Sequence, residues 1–366
     1  MITTFSPHIY SESIDGCASV LSTTSIGMRS ITKNFEEAIR NKLGISYGCA
    51  VSSCTAAMEM SLNLLGVGSI NGGNASDEVI TSPFTFISTN LSILRAGARV
   101  VFADIDPNTF NISPSSIMSK ISSNTRAVIV THMYGHSCDM DSINSIGVPV
   151  IEDCAHAFGA MYKNRYIGSE DNNIHCYSFQ ATKNITTVDG GFIGLPDKDT
   201  NERALSIRSF GKGIPLTDGT YDMLYTGGKY SFSDVYAAIG MGQLLHYDDD
   251  YRRREVMWNI YNNELGHNYN IRVPMILDYC TKHSMHAYTI LCSDRMYRNT
   301  VISRLKSNCI QGMILYKPHY YYSVLTDDPL LYPVTEDVYS RCVTLPFHMN
   351  LTDDDIRLVC NTINFI

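Results

Sequence analysis

Residues 49–65 read CAVSSCTAAMEMSLNLL, and their character changes abruptly at the serines. Cys49–Ser53 is short, apolar and closed by small polar residues, which is the pattern of a buried strand. Thr55–Leu65 instead repeats its apolar residues at helical spacing. The same alternation recurs downstream. Glu78–Ser82, Arg99–Ile105, Ala127–His132 and Val148–Asp153 are compact, rich in Val and Ile, and bounded by Gly, Pro or Asn. Between them, Ile87–Leu94 and Ser113–Ile121 read as helices. Strand–helix alternation predicts an α/β fold on a parallel sheet, with ligands outside the carboxyl ends of the strands.

A length of 366 residues exceeds what one core usually holds, so two lobes are expected. After Gln243 the pattern changes. DDDYRRREVMWNIYNNEL (248–265) predicts a long charged helix connecting the lobes. His286–Cys292 alternates like a strand, Arg298–Ser307 reads as a helix, and Thr352 with its acidic first turn is a helix start. The expected division is a large domain over 1–245 and a smaller α+β domain over 246–366.

Composition excludes several classes. Apolar residues make up 44% of the chain and charged residues 17%, as in an ordinary globular protein. A net charge of −8 argues against nucleic acid as a partner. No apolar run has the length of a membrane helix. The N-terminal MITTFSPHIYSESIDG lacks the basic and apolar regions of an export signal, so a cytoplasmic location is expected. The eleven cysteines, odd in number and without a C-x-x-C pair, then read as reduced core thiols rather than a zinc site. The Asn-x-Ser/Thr triplets at Asn74, Asn111 and Asn184 read as chance matches.

Four features converge on one chemistry. SSCTAA (52–57) joins a strand to a helix, where free backbone amides and hydroxyls suit a phosphate. Thr55 is placed to donate to it, and Ser178 is a second donor. VPVIEDCAHA (148–157) runs an apolar strand into Glu152 and Asp153, and a carboxylate there needs a cation or several donors. A protonated pyridine nitrogen is such a cation. Phe86, in SPFTFIST (82–89), follows a strand end where its ring can stack on a planar cofactor. Lys183, in SFQATKNITTVDGG (178–191), can form a Schiff base with a carbonyl if its pKa is lowered. Together they describe a site for pyridoxal 5′-phosphate. Gly190 and Gly191 would let the backbone pass close to a bound substrate without a side chain intervening.

In order along the chain, AVSSCTAAMEMSL, DEVITSPFTFIST, VVFADIDPNTFNI, THMYGHSCDMDSI, VIEDCAHAFGA, SFQATKN with DGG, SDVYAAIGMGQL and LPFHMNLTDDDI resemble the DegT/DnrJ/EryC1/StrS family of sugar aminotransferases. The resemblance covers nearly the whole chain. It implies the fold-type I, aspartate aminotransferase-like scaffold: a large domain with a mixed, mostly parallel sheet between helices, and a smaller α+β C-terminal domain. It also implies roles. Lys183 matches the lysine that bonds the cofactor and moves the proton, Asp153 the partner of the pyridine nitrogen, and Phe86 the stacked ring. His156 falls where the family has Gln or His near the phenolic oxygen. Thr55, Ala56 and Ser178 match phosphate ligands, and Tyr316 and His319 lie in the region that meets the sugar. Lys229, in GGKYSFSD (227–234), stands where many members send an asparagine to the partner subunit's phosphate, with Ser231 two residues on.

The family's usual reaction takes an amino group from L-glutamate to a nucleotide-linked keto-sugar, in a homodimer with shared sites. Two alternatives stay open beside it. A sugar dehydratase of the same family has histidine where Lys183 stands. A PLP-binding regulator without turnover would be expected to carry a DNA-binding segment. Where the family cradle reads S-G-T, this chain has Cys54 for the glycine, which suits only an αR or β backbone. Cys54 and Cys154 are expected to be structural, because neither has an adjacent base or cation in sequence.

Overall fold

The computed structural model describes residues 1–24, 26–169 and 172–365. Seven strands make the main sheet: β1 (Tyr47–Val51), β2 (Glu78–Thr81), β3 (Arg99–Phe102), β4 (Thr125–Thr131), β5 (Val150–Asp153), β6 (Ile174–Ser178) and β7 (Gly191–Leu195). Their order is β1-β7-β6-β5-β4-β2-β3. β7 is antiparallel to both neighbours, and β2 through β6 pair in parallel. The fold is therefore α/β with a mixed, mostly parallel sheet. Strands β1 to β5 fall within a few residues of the runs read from the sequence, and their Val and Ile side chains are buried except Val100 and Val101 of β3, which are half-buried.

Helix α1 (Ser11–Leu21), α2 (Ser30–Leu43), α3 (Cys54–Leu64) and α4 (Ile87–Arg95) follow in chain order. α3 starts where expected because Ser53 caps it, its side chain accepting from the Ala56 amide at 3.0 Å. Ala57, Met58, Met60, Leu62 and Leu64 fasten it to the sheet core. Each large side chain so buried contributes roughly 1.5–3 kcal/mol.

The charged helix predicted from residue 248 starts earlier. It runs 32 residues, Asp234–Leu265, about 48 Å at helical rise. Its first half packs on α1 and α2. Its last turns place Met257, Trp258, Tyr261 and Leu265 in a second core, with the small antiparallel sheet β8 (Ile271–Arg272), β9 (Tyr288–Cys292) and β10 (Cys342–Leu345). Residues 245 and 246 lie inside this helix. Among the described residues no helix is long and apolar enough to cross a membrane. All the cysteines are free, and all but Cys17 and Cys309 are buried.

Two close contacts hold the frame. α2 begins at Arg29 without a side-chain cap of its own. Asp234 supplies one from the long helix, accepting from the amides of Arg29 at 2.8 Å and Thr32 at 2.9 Å and from the Thr32 hydroxyl at 2.7 Å. Burial alone would raise its carboxyl, but the bonds from Thr32, Arg29 and Ile31 outweigh that and leave it lowered. Gly191 is the second contact. A Cβ there would stand 2.5 Å from the Ser53 carbonyl carbon and 2.6 Å from the Cys54 amide nitrogen.

Asp234→Ala should lower unfolding free energy by about 1.5–3 kcal/mol in urea denaturation, the worth of charge-assisted hydrogen bonds. Because the folded pKa is depressed, this contribution is present above the ordinary Asp range and fades as pH falls through the folded value. The variant should therefore lose part of the wild-type acid limb; an unchanged limb would refute the cap. Gly191→Ala should cost about 1–3 kcal/mol by overpacking, and an unshifted melting temperature would contradict the contact.

Candidate active site

The carboxyl ends of β1, β2, β4, β5 and β6 open onto a cavity of about 580 Å³. Ser53, Cys54, Thr55, Phe86, Asp153, His156, Ser178, Lys183, His286 and Tyr316 are among its lining residues. Seven of the ten sequence-predicted site residues thus meet in one place: Thr55, Phe86, Asp153, His156, Ser178, Lys183 and Tyr316.

The start of α3 forms one wall. Cys54 is its first residue and is absent from the positive-φ positions, so the backbone is one that any side chain adopts. The Cys54 and Thr55 amides have no acceptor among the described residues, as expected for the first turn of a helix. With the Thr55 and Ser178 hydroxyls they make a donor set suited to a phosphate. The Ala56 amide is not part of it, because the Ser53 side chain has taken it.

Asp153 is buried at the end of β5. Its Oδ2 accepts from the Thr89 hydroxyl at 2.8 Å and the Thr131 hydroxyl at 3.4 Å, and its Oδ1 from the Ala155 amide at 3.1 Å. Every one of these donors is neutral. The carboxylate therefore suits a cationic N–H entering from the cavity. Its neighbour Glu152 faces away by strand alternation. Glu152 is bound by His132 Nε2 at 2.8 Å, His175 Nε2 at 3.2 Å and Asn173 Nδ2 at 2.6 Å. Burial would raise its carboxyl, yet His175 and His132 hold it well below the usual range.

Lys183 follows β6 in a turn closed by its amide on the Gln180 carbonyl at 2.9 Å. Its ammonium has no hydrogen-bond or ion-pair partner among the described residues. Burial pushes it down to about 8, against the upward pull of Asp153 and Cys54. Phe86, 53% exposed, stands with its ring 6.0 Å from that of Tyr316. The Tyr316 hydroxyl lies 3.1 Å from His156 Nε2.

Three expected residues are elsewhere. Ala56 lies under the cap just described. His319 is buried beside β2, its ring against the Asn90 amide and its own amide on the Pro83 carbonyl at 2.9 Å. It props the strand end instead of lining the cavity. Lys229 is exposed, in an isolated bridge with Ser209. The reading of Gly190 and Gly191 also changes. The space beside Gly191 is filled by Ser53 and Cys54, and that beside Gly190 by Thr187 and the Phe232 ring. The glycines admit this chain's own backbone and side chains, not a sugar.

Cys54 Sγ is shared between the Cys176 carbonyl at 3.2 Å and Asp153 Oδ1 at 3.7 Å, and Cys154 Sγ points at the Glu152 carbonyl at 3.5 Å. Burial raises both thiols well above their ordinary value, which suits inert packing. Sequence patterning does not single out His286 or Thr89: His286 heads a stretch that alternates like a strand, and Thr89 lies in a helix marked only by its apolar spacing.

The sequence profile of the DegT/DnrJ/EryC1/StrS aminotransferase family matches residues 7–364. An uncharacterised protein of Methanocaldococcus jannaschii is 34% identical over 99% of this chain and 96% of its own length. The GDP-perosamine synthase of Escherichia coli O157:H7 is 30% identical over 91% of this chain and 89% of its own. The sugar aminotransferase CalS13 from Micromonospora echinospora superposes with a TM-score of 0.92 at 27% identity, all of both chains being covered. With its fold, cavity and sequence in agreement, this chain belongs to the DegT/DnrJ/EryC1/StrS aminotransferase family.

Proposed function

We propose that the protein moves an amino group from L-glutamate to a nucleotide-linked keto-sugar of the 4-keto-6-deoxy or 3-keto class, in two successive half-reactions. The observation that carries the reading is a pair of unlike groups on one cavity: a lysine depressed to about 8 and a buried carboxylate bound only by neutral donors. Pyridoxal 5′-phosphate, which family membership implies, supplies when bound an aldehyde for the lysine and a ring that stores an electron pair.

The chain's own residues would divide the remaining work. The Cys54 and Thr55 amides and the Thr55 and Ser178 hydroxyls would hold the phosphate. Asp153 would keep a proton on the ring nitrogen, which stabilises negative charge developing nearby. Phe86 would cover one ring face and keep water from it. Lys183 Nζ would take a proton from the donor's α-carbon and return it elsewhere, a role that favours a pKa near working pH. His156 and Tyr316 would meet the cofactor or the sugar. We further propose a homodimer in the cytoplasm, with Lys229 reaching the partner's site, and a division into lobes over 1–245 and 246–366 joined by the long helix.

Borohydride reduction of the holoenzyme followed by peptide mapping should place the cofactor label on Lys183. A label on another lysine would sink the scheme. Lys183→Ala should lose roughly 10²–10⁴-fold in transfer, the usual worth of a positioned acid–base group. In cofactor-free protein, reductive alkylation of Lys183 by a small aldehyde should rise with pH through about 8 and then level, because the neutral amine is the nucleophile. A solvated lysine would keep climbing toward about 10.4. Product analysis with glutamate and a panel of keto-sugar nucleotides tests the substrate class; dehydration without amination would overturn it.

A further inference from the structure

His156 and His286 stand stacked in the cavity wall, their ring centroids 4.4 Å apart and their planes 15° from parallel. Each is held by a partner whose hydrogen-bonding polarity cannot reverse. His156 Nδ1 accepts from the Tyr134 amide at 3.2 Å. A backbone N–H only donates, so Nδ1 keeps a lone pair and the single proton of the neutral ring sits on Nε2. Nε2 faces the Tyr316 hydroxyl at 3.1 Å. That N–H therefore donates, the hydroxyl oxygen accepts, and the hydroxyl's own proton is left over. Among the described residues nothing else is placed to receive it, and Tyr316 lines the cavity.

The second ring is fixed the other way round. Asn184 Nδ2 donates to the Ser284 carbonyl at 2.6 Å, which turns its Oδ1 to His286 Nδ1 at 3.2 Å. An amide oxygen only accepts, so His286 carries its proton on Nδ1 and leaves Nε2 as an acceptor. No partner for that Nε2 is found among the described residues.

Both rings are kept neutral. Burial lowers each well below the ordinary value, Lys183 adding to it for His156, and His156, Lys183, Arg254 and His283 for His286. The groups facing them are Tyr134, Tyr316, Phe5, Asn184 and Lys183, with Arg254 and His283 acting on His286 as well, and among the described residues no carboxylate hydrogen-bonds either ring. Tyr134 adopts φ 55, a left-handed conformation rare for an aromatic residue and usual only where the surroundings impose it. Its hydroxyl also donates to the carbonyl of Leu315, next to Tyr316. One residue thus orients His156 and tethers the segment bearing Tyr316.

We propose that Tyr134 and Asn184 are positioning residues that hold the stacked histidines in opposite neutral tautomers, giving the cavity a fixed donor, Tyr316 O–H, and a fixed acceptor, His286 Nε2. The ligand chemistry that fits is an oxygen-rich one: a carbonyl or phenolic oxygen for Tyr316, and an O–H or N–H for His286. This deepens the transferase reading and rests on it for its kinetic arm only.

Long-range ¹H–¹⁵N correlation on histidine-labelled holoenzyme reads the tautomers directly, with assignments from His156→Gln and His286→Gln. His156 should appear as the Nε2–H form and His286 as the Nδ1–H form, with neither titrating between roughly pH 5.5 and 8. The reverse tautomer in either ring, or an imidazolium in that window, overturns the proposal. A kinetic comparison tests its consequence. His156→Gln keeps an acceptor for Tyr134 and a donor for Tyr316, whereas His156→Glu offers acceptors on both sides and would draw the Tyr316 proton out of the cavity. The glutamate variant should be slower than the glutamine variant by about tenfold, the scale of one hydrogen bond. Equal rates would defeat the donor assignment. If the tautomers are as stated but the cofactor label is not on Lys183, the transferase reading fails and this inference stands.

Discussion

A carboxylate at the end of a buried strand has to be given donors, and much of the cavity is organised by how Asp153 receives them. Removing an ion from water costs several kcal/mol even after relaxation. Thr89 from α4, Thr131 from β4 and the Ala155 amide recover part of that cost. All are neutral, so negative charge persists at the cavity wall. This field pulls Lys183 upward while burial pulls it down, and the balance near 8 is where a lysine can both hold and release a proton. Were Asp153 paired with an internal cation, the cavity would lose its claim on a positive ligand group. The carboxylate is kept for something the chain does not itself supply.

A second constraint fixes where that field is felt. Gly191 opens β7 with the Ser53–Cys54 backbone lying where its Cβ would be. β1 therefore passes close beside β7 before turning into α3, and the first amides of α3 come to the same cavity as Asp153 and Ser178. The Asp234 cap on α2 ties the long helix to this layer from outside. Neither contact touches the reacting groups, but both set distances between elements that do.

Strands β1 to β5 are legible because strands of a helix-covered sheet draw on Val and Ile in short bounded runs, and Lys183, Asp153 and Phe86 because chemistry limits the residue type at a strand end. β6 and β7 are not. IHCYS carries polar groups, and GFIGL is thinned by two glycines, of which packing requires Gly191. His319 misled for a related reason. The family resemblance puts it in the region that meets the sugar, but the buried Asn90 side chain claims its ring. The Ala56 amide was spoken for by a serine three residues earlier, since a cap and a phosphate compete for the same donors. His286 lay beyond sequence reasoning altogether, because its partners Asn184 and His156 are brought to it only by the docking of the second core on the first.

Glu152 and Asp153 show how little separates a structural acid from a functional one. They are adjacent, both are buried, and both end the same apolar strand. The alternation of side chains sends one to His132, His175 and Asn173, where strong donors satisfy it and hold it ionised. It sends the other to two hydroxyls, one amide and the Cys54 thiol, which solvate its charge without cancelling it. A register slip of one residue would exchange the two environments, putting the satisfied acid at the cavity and burying the unsatisfied one. The parallel pairing of β5 with β4 and β6 fixes the register on both sides. The chemistry at the strand end is thus decided by hydrogen bonds made along its length.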